Sequence, residues 1–294
     1  MAKLQNRQIG AADMLEYLSG YSDFSFELQT LRLVRGRGLD CEHGGLYEDP
    51  ITKKMREFDI RAIARAGVYS VRLAIECKNI RENFPLLVSC VPRHGSESFH
   101  DVALVGVSDE HADVQVPALT SRAKVLRITG ENSCYRPNAP VGKSLAQIGR
   151  SRDKTGEIVA TDSEVFEKWG QCLSSADDLV SRSYWEEHEC SSQRLAAVMP
   201  ILVIPDARLW RVDYGLDGER QAEPVQTNHC SMFVGMSYEM GAPVGPTYRI
   251  SHLDIMTTRG LSEFIHDCLQ SETAMQTIFP NEGVWAAMNA DVEE

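Results

Sequence analysis

Hydrophobic and polar positions alternate with a changing period along the chain, and the period predicts the elements. Ala11 to Leu18 reads as a short helix closed by Gly20. Phe24, Leu28, Leu31 and Val34 recur at helical spacing, which predicts a second helix from about Phe24 to Arg35, ended by Gly36 and Gly38. The period then shortens to that of strands. Leu39 to Tyr47, Arg56 to Arg65 and Val68 to Lys78 are three candidate strands, joined by the turn-prone Glu48 to Lys54 and by Ala66-Gly67. In the third, Val71, Leu73, Ile75 and Cys77 share one face, and Arg72, Ala74, Glu76 and Lys78 the other. Phe84 to Val91 is a further apolar strand, stopped by Pro92.

The remainder is less regular. Arg93 to Arg136 gives no clear period, and Glu131 to Lys154 reads as loop apart from a helix-like Lys143 to Ile148. Thr161-Asp162-Ser163-Glu164 has capping-box form and opens the clearest helix, with Val165, Trp169, Leu173, Ala176, Val180 and Tyr184 along one side. Ala196 to Ile204, Leu209 to Tyr214, Cys230 to Met236 and Tyr248 to Ile255 read as strands, and Leu261 to Leu269 as a helix. This predicts one elaborated α/β domain: a helical segment over 1–23, a core over 24–215 with an inserted loop and helix, and an extension of the same domain over 216–294.

Composition adds that the chain folds around a core, since 43% of its 294 residues are hydrophobic and 24% charged. No apolar run is long enough to span a bilayer, and Met1 to Arg7 lacks the apolar stretch of a signal peptide, so a cytoplasmic protein without membrane contact is expected. The eight cysteines form no CxxC pair and read as reduced thiols. The net charge of −12 is uneven: residues 1–100 carry 14 basic and 13 acidic side chains, residues 201–294 carry 5 and 14. A near-neutral first third can meet a phosphate backbone, while the acidic last third repels it or faces a protein partner.

Candidate chemistry concentrates in Arg56-Glu57-Phe58-Asp59-Ile60-Arg61 and Leu73-Ala74-Ile75-Glu76-Cys77-Lys78. Two adjacent antiparallel strands would bring Asp59 to Glu76 and Lys78, with Phe58, Ile60, Ile75 and Cys77 on the opposite face. Two carboxylates suit a hard dication, and an ammonium beside them suits an attacking water or a phosphate in its transition state. The plain alternative is an exposed cross-strand salt bridge. Lys53, Lys54, Arg56 and Arg61 crowd the hairpin beside this cleft as candidate phosphate contacts, with a solvated charged face as the alternative for each.

Asp59, the Glu76-Cys77-Lys78 triplet and the preceding helix with Glu27 resemble the PD-(D/E)XK nuclease superfamily, the restriction-endonuclease-like fold. That resemblance covers 24–91, with Phe58 where the family has proline. It implies a core of a helix, three antiparallel strands, a second helix and a further strand, although Phe84 to Val91 reads as a strand where the second helix belongs. It further implies Asp59 and Glu76 as metal ligands, Glu27 as a helix carboxylate at the same metal, and Lys78 as the catalytic lysine. The cofactor would be Mg²⁺, with Mn²⁺ as substitute, the substrate DNA, and the assembly a homodimer. A non-catalytic interaction protein that keeps this fold, in a defence or mobile-element setting, is the alternative, and an RNA-directed nuclease is another.

Other motifs carry less. Glu57 shares a face with Asp59 and could supplement it, and Asp49-Pro50 reads as a turn. Gly142-Lys143-Ser144 fails as a phosphate loop because Pro137 stands where its first glycine belongs. Gln147 reads as a surface residue, with a substrate contact as the alternative. The histidines have no zinc spacing, no GxSxG occurs, and the tryptophans read as core, Trp210 alone being a stacking candidate between Arg208 and Arg211.

Overall fold

The computed structural model describes residues 7–20, 22–50, 52–106, 123–151, 156–188, 194–241 and 245–290. Met1 to Asn6, Ile51, the side chains of Tyr184 and Trp185, and Cys190 lie outside the described residues, as does 107–122 within the unassigned stretch. The helices are α1 (Ala11–Gly20), α2 (Phe24–Gly36), α3 (Ser163–His188), α4 (Thr258–Leu269), α5 (Glu272–Met275) and α6 (Asn281–Ala290). The strands are β1 (Asp40–His43), β2 (Leu46–Glu48), β3 (Met55–Glu57), β4 (Ile60–Ala66), β5 (Tyr69–Cys77), β6 (Leu86–Pro92), β7 (Phe99–Val105) and β8 (Lys124–Thr129). They continue as β9 (Pro140–Arg150), β10 (Ile158–Thr161), β11 (Arg194–Ile204), β12 (Leu209–Asp213), β13 (Val225–Gln226), β14 (His229–Glu239) and β15 (Thr247–Thr257).

Among the described residues thirteen strands form one mixed sheet, with main order β1-β4-β5-β11-β15-β14-β9-β6-β12-β13. β5 lies near the middle of the first half, and its alternation explains why. Val71, Leu73, Ile75 and Cys77 enter one apolar cluster with Phe26, Leu31 and Val34 of α2 and Leu261 and Ile265 of α4. Ala74 enters the other, with Val165, Cys172, Ala176 and Val180 of α3. A strand buried on both faces needs helices on both sides, and α3 provides the second as the crossover from β5 to its parallel neighbour β11. Between β5 and α3 the chain adds β6 to β10.

Three readings of the pattern are corrected. The first two expected strands are each broken: Leu39 to Tyr47 becomes β1 and β2, and Arg56 to Arg65 becomes β3 and β4. Gly44 sits in the left-handed region at φ 66°, and Phe58 lies where a Cβ on Gly45 would be, 2.5 Å from its ring. The β2–β3 hairpin therefore leaves the main sheet and forms its own two-stranded sheet. The helix-like Lys143 to Ile148 is the middle of β9, held by β6 along its length. Within 216–294, β14 and β15 lie inside the main sheet, β15 against β11. No described helix is long and apolar enough to cross a membrane.

Candidate functional site: a lysine between two buried carboxylates

The antiparallel register pairs Ile60 with Ile75, which brings Asp59, just before β4, to the end of β5 at Glu76 and Cys77. The Asp59 Oδ2 accepts the Cys77 N–H at 2.8 Å, and the Asp59 N–H points to Glu76 Oε1 at 3.4 Å. Side-chain exposure is 10% for Asp59 and 1% for Glu76, so two carboxylates lie side by side almost out of water. Burial of this kind demands a cation.

The cation is Lys168. Its Nζ lies 2.9 and 3.1 Å from the two Asp59 oxygens and 3.2 Å from Glu76 Oε2. The local cause is the close approach of α3 to β5. Cys172, one turn further along α3, donates its Sγ–H to the Ala74 carbonyl at 3.3 Å, and two small side chains let the backbones come near. Lys168 is then carried over Glu76, two residues along the strand from Ala74. The space beside Glu76 that Ala74 leaves is occupied by this helix.

The charges act on one another. Burial first, then the Asp59 charge, pushes the Glu76 carboxyl well above its ordinary range. Burial works against the Lys168 ammonium, but Glu76 and Asp59 outweigh it and hold the lysine more firmly protonated than usual. Glu27, partly buried on α2 with His43 at 3.8 Å, is raised from 4.5 to about 7, by burial and then by Asp59, with Lys168 partly offsetting. Two acids thus share one ammonium, and a third feels its charge from a distance.

Lys78 is placed differently from the expectation. Just past the end of β5, its Nζ turns to Asp23 at 3.3 Å and to Glu164 at 3.2 Å, not to Asp59 or Glu76. Asp23 is held in turn by the Asn79 N–H at 2.8 Å. Lys78 and Lys168 both line an open cleft of about 640 Å³, with Phe84, Gln147 and Gln171 among its walls, and Asp59 and Glu76 lie behind Lys168.

The four basic candidates separate by environment. Arg61 is corrected outright: at 3% exposure its guanidinium bonds Asp178 at 2.6 Å and Ser175 Oγ at 3.2 Å, and stacks on Phe58 at 4.1 Å. It ties β4 to α3 and does not line the cleft of Lys78 and Lys168; Phe58 accordingly belongs with it and not with the Ile60 and Ile75 face. Arg56 pairs with Asp49 at 2.7 Å, and Asp49 also caps its turn through the Thr52 N–H at 2.7 Å. Lys53 and Lys54 are exposed on the hairpin. Glu57 is exposed on β3.

Lys168 was missed by the sequence reading. A signal existed, since it falls three residues after Val165 and four before Cys172, both fully buried, so a lysine interrupts the inward side of an amphipathic helix. A second group of polar side chains is also brought together from distant segments. In a second cavity of about 440 Å³, Asp254 accepts from His229 Nε2 at 2.7 Å and from the Tyr135 hydroxyl at 2.8 Å, while Arg93 donates to His252 and Ser231.

Comparison with known proteins finds no matching family model, no similar curated protein and no similar solved structure. Among the described residues no group of three or more His, Cys, Asp and Glu is gathered in metal-holding form. The donor chemistry at Asp59 and Glu76, two carboxylates with Glu27 within electrostatic range and more negative charge than Lys168 balances, suits a hard dication.

Proposed function

We propose that the chain is a metal-dependent nuclease that hydrolyses phosphodiester bonds of DNA. The observation that carries this reading is the buried Asp59–Glu76 pair, sharing one lysine, next to a cleft large enough for a nucleotide unit. The order of elements supports it: α2, then β1, β4 and β5 antiparallel, then α3 and the parallel β11, follows the helix, three strands, helix and strand of the PD-(D/E)XK superfamily. In this arrangement α3 takes the place of the second helix, and β6 to β10 are an insertion ahead of it.

Asp59 and Glu76 would hold Mg²⁺ or Mn²⁺, with Glu27 as the third acid. A bound dication there supplies a water of lowered pKa and offsets charge that develops on the phosphate. The chain's own groups do the rest. Lys168 balances the carboxylates and positions them, and Lys78, on the same cleft wall, is a second ammonium for an incoming phosphate. Water adds to phosphorus, one P–O bond breaks, and the products are a phosphate monoester and a hydroxyl.

Purified protein with Mg²⁺ or Mn²⁺ should nick supercoiled plasmid, and Asp59→Asn should remove that activity. Separate Lys168→Met and Lys78→Met variants identify which ammonium the reaction needs. Nicking that survives Asp59→Asn rejects the assignment. A second reading, a non-catalytic interaction protein built on the same fold, is favoured by one observation, that Lys168 fills the space between the acids. Calorimetry separates the two: divalent binding that is lost in Asp59→Asn supports the nuclease, and no divalent binding at all supports the interaction protein.

A further inference from the structure

The cleft beside the acids has walls of an uneven kind. Three cations line it, Lys78, Lys168 and Arg81, but as many acids limit its positive field: Asp23 and Glu164 engage Lys78, and Glu167 stands beside Lys168 on α3. Such a field does not suit the dense phosphate rows of a duplex. The rest of its lining is mainly an aromatic ring and carboxamides: Phe84, Asn79, Asn83, Gln147 and Gln171.

Phe84 and Gln147 are placed together by β9. Gly149 accommodates the Phe84 ring, since a Cβ there would fall 2.5 Å from it, and this fixes the ring against bare backbone on one side. Gln147, two residues before Gly149, shares that face of β9. It is no surface residue: it is 2% exposed, its Nε2 donates to the Phe84 carbonyl at 3.4 Å, and its Oε1 has no hydrogen-bond partner. A buried acceptor left without a donor destabilises the free protein, and a ligand that brings the donor removes that cost. Gln147 lines the cleft, so a ligand seated there can present the donor that its Oε1 lacks.

We propose that this end of the cleft is a subsite for one unstacked nucleobase, with Phe84 as the stacking face and Gln147 as the group that reads its edge. The subsite rests on the nuclease reading for its purpose, and it makes the substrate a single strand, or a strand splayed out of a duplex, whose phosphate lies toward Lys78. A ring face with an amide at its edge is the pairing by which proteins hold unstacked bases. The orphan oxygen selects a base with an exocyclic amino group, adenine, cytosine or guanine, against thymine. Thymine offers only N3–H, flanked by two carbonyls that meet Oε1 with like partial charge.

The test is fluorescence anisotropy on the full chain, in EDTA so that no cleavage intervenes, with labelled oligo-dA, oligo-dC, oligo-dT, oligo-rA and a duplex of equal length. Single strands should bind more tightly than the duplex, and oligo-dA and oligo-dC more tightly than oligo-dT; oligo-rA reports whether a 2′-hydroxyl is accepted. Phe84→Leu keeps an apolar side chain on Gly149 but removes the π face, and should weaken single-strand binding about 10-fold. Gln147→Leu removes the unpaired acceptor, together with the long bond to the Phe84 carbonyl, without loss of volume, and should bring oligo-dA and oligo-dT to equal affinity. Duplex binding as tight as single-strand binding, no binding of any oligonucleotide, or a Gln147→Leu protein with unchanged base preference overturns the subsite. The nuclease reading fails separately: base-selective single-strand binding without cleavage in Mg²⁺ or Mn²⁺ leaves the subsite standing and removes the hydrolysis, whereas duplex cleavage indifferent to Phe84→Leu does the reverse.

Discussion

Replacing Lys168 by Met keeps most of the aliphatic stem and removes the charge, leaving Asp59 and Glu76 buried without their cation. Breaking a buried ion pair by deleting one partner costs about 3–5 kcal/mol, because a charge is left without compensation. Here the loss has a ceiling. Glu76 already holds its proton more tightly than an ordinary carboxyl, and in the variant it takes one up instead of staying charged. We therefore expect a loss of about 3 kcal/mol at pH 8 that shrinks to about 1 kcal/mol at pH 5. The sign follows from a carboxyl whose folded pKa lies above its unfolded value: the folded state gains from the bound proton at low pH, and the gain is lost as the pH rises through the folded pKa. Urea unfolding followed by tryptophan fluorescence at the two pH values measures both numbers. Mg²⁺ adds a second arm, because a dication can replace the lost ammonium; at a hundred times its dissociation constant it would return about 2.7 kcal/mol to the variant. A loss below about 0.5 kcal/mol at pH 8, or one independent of pH, would refute the view that Lys168 is the counter-ion of a buried acid pair.

Glu27→Gln should stabilise the protein at alkaline pH. The rise from 4.5 to about 7 is a benefit present below 4.5 and lost as the pH passes 7; solvent at this partly buried position reduces the effect to about 1–2 kcal/mol, read as a difference in urea midpoint between pH 8 and pH 4. Equal midpoints at pH 8 would show that neither burial nor Asp59 raises the Glu27 carboxyl. Arg61→Ala should cost about 2–3 kcal/mol by freeing α3 from β4, whereas Lys53→Ala with Lys54→Ala should leave thermal unfolding unchanged and lower the salt dependence of oligonucleotide binding. Lys78→Met should change stability by less than about 1 kcal/mol, since one of its two partners, Glu164, is 64% exposed. A larger loss in a thermal melt would mean that Lys78 anchors the fold.

How much was legible follows from the distance over which each fact is decided. The two faces of β5 are a local alternation, and the hairpin through Gly67 is a local turn, so the meeting of Asp59 with Glu76 could be read from a few dozen residues. Lys168 reaches Asp59 across 109 residues and Glu76 across 92, and nothing in its own neighbourhood names those partners. Arg61 shows the same limit. Its spacing from Asp59 placed it on the right face, but only the arrival of Ser175 and Asp178 decides that this face is closed. β9 misled for a different reason. Gly142, Lys143 and Ser144 carry no strand signal, yet the strand forms because β6 supplies its hydrogen bonds and Gly142 makes room for Met232, whose sulfur lies where a Cβ would be.

The first half of α3 does several jobs at once, and this constrains the chemistry. Val165, Cys172 and Ala176 set its depth on β5, Ser175 and Asp178 fix it through Arg61, and the Gln171 carbonyl receives the Tyr47 hydroxyl from the hairpin at 3.2 Å. The same turns present Glu164, Glu167, Lys168 and Gln171 to the cleft. Lys168 is therefore held by the core packing beneath it, and it meets an inner cluster of Asp59, Glu76 and Glu27 that it cannot neutralise alone. Lys78 belongs to a separate outer group with Asp23 and Glu164. The inner cluster resolves its excess charge either by protonation, which the raised Glu27 and Glu76 already indicate, or by a second cation. Both routes draw on the same carboxylates, so a dication bound there must displace protons, and its affinity must climb as the pH rises through 7.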